Sequence, residues 1–193
     1  MTSISFTSEL MRKGVHLTSI LIVLIYAFYG KQAAQILLIS YLVLILFIEH
    51  IRLDRGIKIP FFNLMLRKKE RSSIGSYVYF TLGALIAISV FSQNVAFAAV
   101  LMTTFGDMSA ALVGKRFGRI RIFPNEKSVE GCIAEYFVNL VIAFVFISNL
   151  FISVSMAFVA TYVETIFVRI DDNLAIPVIA GAFAELALFL TYL

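Results

Sequence analysis

Residues 132–170 read CIAEYFVNLVIAFVFISNLFISVSMAFVATYVETIFVRI, an almost unbroken apolar run of 39 residues. As one helix it would reach about 58 Å, nearly twice the ~30 Å hydrocarbon core of a bilayer. The run therefore reads as two membrane spans, 132–149 and 152–169, turning at Ser148-Asn149. It does not alternate apolar with polar residues, as strands of a lipid-facing barrel would.

Five more apolar runs lie outside it, at 14–29, 33–50, 76–92, 95–113 and 174–192. Arg12 and Lys13 before the first run imitate a signal peptide, but the further runs behind it make it the first span. Hydrophobic residues make up 61% of the 193 and charged residues 15%, against roughly 25% charged in a soluble domain. A soluble domain of this size could not hide that much apolar surface, which argues against a soluble enzyme, a disordered tail or a nucleic-acid module. The single cysteine, Cys132, excludes an internal disulfide and a multi-cysteine metal site. The expected fold class is all-α: one polytopic membrane helix bundle, 1–193, with seven transmembrane helices.

The loops between these spans alternate in charge. Fifteen of the sixteen Lys and Arg residues fall on one side, leaving only Lys31 on the other. The positive-inside rule then puts the N-terminus in the cytoplasm and the C-terminus outside. Two substantial loops, about 51–75 and 114–131, face the cytoplasm, and the outer loops are too short to hold a site. The net charge of +4 reports topology and needs no nucleic acid.

Most carboxylates crowd toward the same face, among them Glu49, Glu70, Asp107, Glu130, Glu135, Glu164, Asp171 and Asp172. A charge inside a span costs about 2.5–3.5 kcal/mol on the mildest scale. Asp107, eight residues before Lys115, would lie ~12 Å below the loop on a regular helix. It must be paired, wetted or bound to a metal. Around it the chain reads GDMSAALVGKRFGRIRIFPNEKSVEG, 106–131. Gly106, Ala110, Gly114 and Gly118 recur every four residues and form one small-residue ridge. That ridge serves close helix packing or close approach of a phosphate; Gly114 and Gly118, lying between basic residues, point toward the second. Lys115, Arg116, Arg119, Arg121 and Lys127 suit a polyphosphate, although anionic headgroups also attract basic loops. A headgroup patch needs no carboxylates, whereas a magnesium–nucleotide site takes one or two. Lys127-Ser128 lacks the earlier glycines of a Walker A loop.

Two further clusters stand out. Glu9, Arg12, Lys13 and His16 lie at helical spacing at the mouth of the first span, as interfacial anchors or as a proton-transfer group. Asp171, Asp172 and Asn173 precede Pro177, as a helix cap or as a metal ligand or base. His50 and Glu185 lack convergent partners in the sequence and read as structural.

Taken together, these segments resemble a known family. The run Glu9-Leu10-x-Arg12-Lys13-x-x-His16, Glu49-x-x-Arg52, Glu70 to Gly75, Gly106-Asp107, Gly114-Lys115-Arg116-Phe117-Gly118, Lys127-Ser128-x-Glu130-Gly131 and Asp172-Asn173 with Pro177 follow the order of the CTP-dependent lipid-alcohol kinases. That family includes dolichol, phytol and farnesol kinases and the fungal CTP-dependent diacylglycerol kinase. The 106–131 segment is also similar to the nucleotide signature of phosphatidate cytidylyltransferases. Those enzymes usually carry a second, C-terminal signature rich in Asp, Lys and Gly, and here only Arg169 to Asn173 occupies that region.

The resemblance implies transfer of the γ-phosphoryl of CTP to a membrane lipid alcohol, with Mg²⁺ or Mn²⁺. It implies Asp107, Lys127 and Glu130 as catalytic residues and Asp107 and Asp172 as metal ligands. It implies Gly106, Gly114, Lys115, Arg116, Gly118, Lys127, Ser128 and Gly131 at the nucleotide. Glu9, Arg12, Lys13, His16, Glu49, Arg52, Glu70 and Asn173 are candidates on the substrate side or for proton transfer. The expected partners are the lipid alcohol, a nucleoside triphosphate and the bilayer, with oligomerisation left open. The rival readings are a cytidylyltransferase making a CDP-lipid and, behind it, a transporter, for which no inverted repeat is visible.

Overall fold

The computed structural model describes residues 18–56, 66, 70, 72–122, 127–166 and 170–191. The candidates Glu9, Arg12, Lys13 and His16 lie outside the described residues. Within them the chain forms six helices: α1 Thr18–Asp54, α2 Ser76–Val90, α3 Gln93–Phe117, α4 Val129–Ile147, α5 Leu150–Ile166 and α6 Asp172–Thr191. A two-residue antiparallel hairpin, β1 Arg121–Ile122 with β2 Lys127–Ser128, links α3 to α4. By length and composition α1, α3, α4 and α6 can each cross a membrane, while α2 and α5 are apolar but shorter. Large apolar side chains stand exposed along these helices, among them Phe28, Val43, Phe47, Phe137, Val141, Phe151 and Phe158. So many large apolar side chains left exposed call for an apolar surrounding.

The spans expected at 14–29 and 33–50 run together as α1. They are separated inside it by Gly30, whose φ of 87° and ψ of 172° break the helix. Only glycine adopts that conformation readily. The turn expected at Ser148-Asn149 separates α4 from α5. Ser148 takes the left-handed conformation that ends α4, and Asn149 Oδ1 accepts the Ile152 N–H to start α5.

The basic loop expected over 114–131 is shorter than that. Helix α3 continues to Phe117 and α4 begins at Val129. Lys115 and Arg116 thus ride the last turn of α3, where cations favour the negative end of the helix dipole. Ser128 caps α4, its hydroxyl accepting the Gly131 N–H at 3.1 Å.

Two compact units divide the chain, Met1–Leu82 and Gly83–Leu193. In the first, Ile45, Leu66, Tyr77 and Val78 form a small core. In the second, α3 packs on α4, α4 on α5, α5 on α6 and α6 back on α3. Small residues let these backbones approach: Ala98, Ala143, Ala157, Ala160, Ala180 and Ala184 are fully buried. Glu185, read as structural, has a definite task. Its Oε2 accepts both the Ser92 N–H at 3.0 Å and the Ser92 hydroxyl at 2.9 Å, tying α6 to the start of α3.

The ridge of small residues on α3 packs closely against its neighbours. A Cβ on Gly106 would stand 2.6 Å from Asn139 Oδ1, and one on Gly114 would stand 2.8 Å from Ser128 Oγ. On the facing helix, a Cβ on Gly131 would meet the Ala110 carbonyl oxygen at 2.7 Å. Backbone cannot yield there as a side chain can. Gly131→Ala is therefore expected to push α3 and α4 apart and lower stability by about 1–3 kcal/mol. Thermal unfolding in detergent measures it, and an unchanged melting temperature would show that the contact is looser than it stands here.

Candidate active site

The hairpin carries Lys127 to the start of α4, and two further helices, α5 and α6, converge on it. Lys127 Nζ donates to Glu164 Oε1 at 2.8 Å and to the Glu164 carbonyl at 2.7 Å. It also lies 3.8 Å from Asp172 Oδ2. Glu164 comes from the last turns of α5, and Asp172 opens α6. The Glu164 carboxyl is only 2% exposed, so Lys127 supplies the charge that makes its burial tolerable.

Burial pulls the Lys127 pKa down. The Glu164 and Asp172 carboxylates and the Glu164 hydrogen bond more than offset this, so the group titrates above its ordinary 10.5. A folded value above the unfolded one means that this contribution to stability is complete below pH 10.5. It is lost as pH climbs through the folded value. Melting temperatures taken across alkaline pH are expected to fall only beyond that point for this pair. A fall from the pair already at pH 8 would contradict the assignment.

Behind the lysine lies a second layer of acids. Glu135 is 1% exposed and lies within electrostatic reach of Glu164. Asp107, half-buried on α3, lies within electrostatic reach of Glu164. Asn139, one helical turn beyond Glu135, donates to Glu135 Oε1 and to Thr161 Oγ1, both at 3.4 Å. The Oε2 atoms of Glu135 and Glu164 and the Oδ1 of Asn139 are buried without a hydrogen-bond donor. Acceptor oxygens so placed call for a proton or a cation.

The other expected residues make the following contacts around this centre. Glu130 Oε1 accepts the Arg119 N–H at 3.0 Å and so holds the loop from α3 to β1. Ser128 is buried against the positions of Gly114, Gly118 and Gly131. Lys115 and Arg116 expose their side chains, Arg116 lying 5.6 Å over the Phe117 ring. Asp171 and Asp172 both accept from the Asn173 N–H at 3.1 Å, and Asp171 Oδ1 also takes Asn173 Nδ2 at 2.8 Å. This is the capping turn, with Asp172 left facing Lys127 through its other oxygen.

Glu49, Arg52 and Glu70 meet in the first unit. Arg52 Nη2 donates to Glu49 Oε2 at 2.5 Å and to the Ser73 carbonyl at 2.6 Å, and its Nη1 reaches the Glu70 carbonyl at 3.2 Å. The Tyr77 hydroxyl donates to Glu49 Oε1. The group latches Glu70, Ser73 and Tyr77 onto the end of α1.

Sequence reasoning passed over Glu135, Glu164 and Asn139 as site residues. The signal was there. Glu135 and Glu164 are the two carboxylates inside the apolar run 132–170, under the same penalty that singled out Asp107.

The chain is similar to the CTP-dependent diacylglycerol kinase 1 of Saccharomyces cerevisiae, 27% identical over 156 residues, or 75% of this chain and 47% of the yeast protein. The protein of the same name in Eremothecium gossypii is 29% identical over 149 residues, covering 63% of this chain and 47% of its own. An uncharacterised protein of Rickettsia prowazekii is 27% identical over 187 residues, 89% of this chain and 91% of its own. The chain thus spans about half the length of these two fungal relatives. No protein-family model and no solved structure matches it. By sequence the chain is a relative of proteins named CTP-dependent diacylglycerol kinase, as its motifs led us to expect.

Proposed function

We propose that the protein is a CTP-dependent lipid-alcohol kinase. It would be an integral, multi-pass membrane protein with seven spans, its N-terminus in the cytoplasm, its C-terminus outside and its site on the cytoplasmic face. The observation that carries the reading is Lys127, held by Glu164 and Asp172 from two separate helices with Asp107 nearby. The one-sided distribution of Lys and Arg supports the orientation. The names of the fungal relatives support CTP as donor and a diacylglycerol among the candidate alcohols, beside polyprenols and phytol.

In this reading the acceptor hydroxyl oxygen attacks the γ-phosphorus of CTP. The bond from that phosphorus to the β,γ-bridging oxygen breaks, and CDP leaves. The hydroxyl proton passes to a base, for which Asp107, Asp172 and His16 are candidates. Catalysis of such a step is mostly positioning and charge neutralisation. Lys127, with Lys115 and Arg116, would take the phosphates, and the glycines Gly106, Gly114, Gly118 and Gly131 would keep α3 and α4 close enough to align them.

The donors suit Mg²⁺ or Mn²⁺ bound together with the nucleotide. Among the described residues no three His, Cys, Asp or Glu side chains converge to hold a metal alone. A nucleotide-borne Mg²⁺ needs only one or two carboxylates beside phosphate oxygens and water. Asp107 and Asp172 would hold it, and when bound it neutralises charge on the phosphates. Asp107→Asn is expected to lower transfer by at least about 10²-fold while the protein folds normally. Full activity in that variant would remove Asp107 from the metal.

The deciding experiment incubates purified protein and Mg²⁺ with diacylglycerol, phytol and polyprenols. Parallel reactions carry CTP labelled at the γ-phosphate and CTP labelled in the base. Label reaching lipid only from the γ-position supports a kinase, and the labelled lipid identifies the acceptor. Base label in lipid, when lipid phosphates replace the alcohols, would make the protein a cytidylyltransferase instead.

A further inference from the structure

We propose that the groove between α4 and α5 holds a hydrocarbon chain of the lipid acceptor, an inference that rests on the kinase reading above. The groove has a volume of about 400 Å³, within the roughly 300–1,000 Å³ of ordinary ligand clefts. Val129, Ile133 and Phe137 of α4 form one wall, and Phe158, Tyr162 and Ile166 of α5 form the other. Among the described residues no Asp, Glu, Lys or Arg lines it. Such walls suit methylene groups and exclude a charged headgroup.

Its direction ties it to the candidate active site. The first wall begins at Val129, next to the Lys127-Ser128 strand, and runs eight residues along α4, about 12 Å of helix. The second wall begins at Ile166, two residues beyond Glu164, and runs back along α5 over the same length. One end of the groove therefore lies within two residues, along the chain, of both Lys127 and Glu164, and the other runs down the apolar helices. Its polar groups sit on the same side as the acids. Cys132 Sγ and Thr165 Oγ1 pair at 3.4 Å, and Thr161 accepts from Asn139, which donates to Glu135. A lipid alcohol lying here would have its chain against the aromatic walls and its hydroxyl toward the lysine.

The test reconstitutes the whole protein in phosphatidylcholine vesicles with two photoactivatable probes, a diacylglycerol and a polyprenol, each with a diazirine in its hydrocarbon chain. At least one probe is expected to crosslink to peptides covering 129–137 and 158–166, competed by the unlabelled alcohol and not by phosphatidylcholine. Ile133→Trp places a bulky ring in the groove without touching the acids, at a position 51% exposed where folding tolerates it. It is expected to cut that capture and to raise KM for the lipid about tenfold, leaving KM for CTP unchanged. Maleimide labelling of Cys132, the sole cysteine, is expected to slow when the captured alcohol is present. Crosslinks scattered over all helices and uncompeted would mean boundary lipid only and overturn the groove. So would an unchanged lipid KM in Ile133→Trp. Competed capture at this face without any phosphoryl transfer would uphold the groove as a lipid site while the kinase reading fails.

Discussion

Replacing Lys127 with methionine is expected to lower phosphoryl transfer by about 10³-fold, the scale of losing one well-placed charge-stabilising donor. Two effects combine. The variant loses a cation at the proposed phosphate position, and it leaves Glu164, 2% exposed, without the partner that donates to it at 2.8 Å. The second effect alone would destabilise the fold by about 3–5 kcal/mol, the usual penalty for orphaning a buried charge. A companion variant separates the two. Lys127→Met combined with Glu164→Gln removes the orphaned charge and is expected to recover most of the melting temperature without recovering transfer. Lys127→Arg keeps the charge in a longer, planar group and is expected to keep folding but lose part of the activity. The assays are γ-labelled transfer and thermal unfolding in the same detergent. A Lys127→Met protein that folds and transfers normally would remove this lysine from the chemistry and leave it a structural tie.

The second large effect lies in the first unit and concerns stability. Arg52→Met takes away the guanidinium that serves Glu49, the Glu70 carbonyl and the Ser73 carbonyl together. Arg52 is 6% exposed and Glu49 2%, so the change leaves a buried carboxylate supported by the Tyr77 hydroxyl alone among the contacts named above. The expected loss is about 3–5 kcal/mol, read as a lower melting temperature and faster proteolysis between α1 and α2. Removing both charges, with Glu49→Leu and Arg52→Met, is expected to restore a good part of it, since a paired apolar replacement strands no ion. Equal losses in the single and double variants would show that the latch acts through shape rather than charge.

Individual elements show where the sequence was legible. Apolar runs of about membrane length marked every helix, and Ser148-Asn149 marked the turn, because a polar pair with a left-handed residue ends a helix by local geometry. The ends of α3 and α4 were misjudged by three or four residues. Charge density around Lys115 suggested a loop, yet a basic last turn is compatible with a helix and favoured by its dipole. Glu130 was expected in the site because it belongs to the motif Lys127-Ser128-x-Glu130-Gly131. In the structure it turns to the Arg119 N–H, and the lysine is met by Glu164, 37 residues away.

The sequence by itself determined the solvent and the elements. Residues this apolar in runs this long belong in lipid, and in lipid a backbone satisfies its own polar groups as helices. Only the tertiary structure decided which polar side chains meet. The ring of α3, α4, α5 and α6 brings Lys127, Glu135, Glu164 and Asp172 together from four elements. Such a meeting depends on how closely Gly114, Gly118 and Gly131 let the backbones approach. Each carboxylate inside an apolar run announces that it needs a partner; the packing of the helices determines which partner it finds.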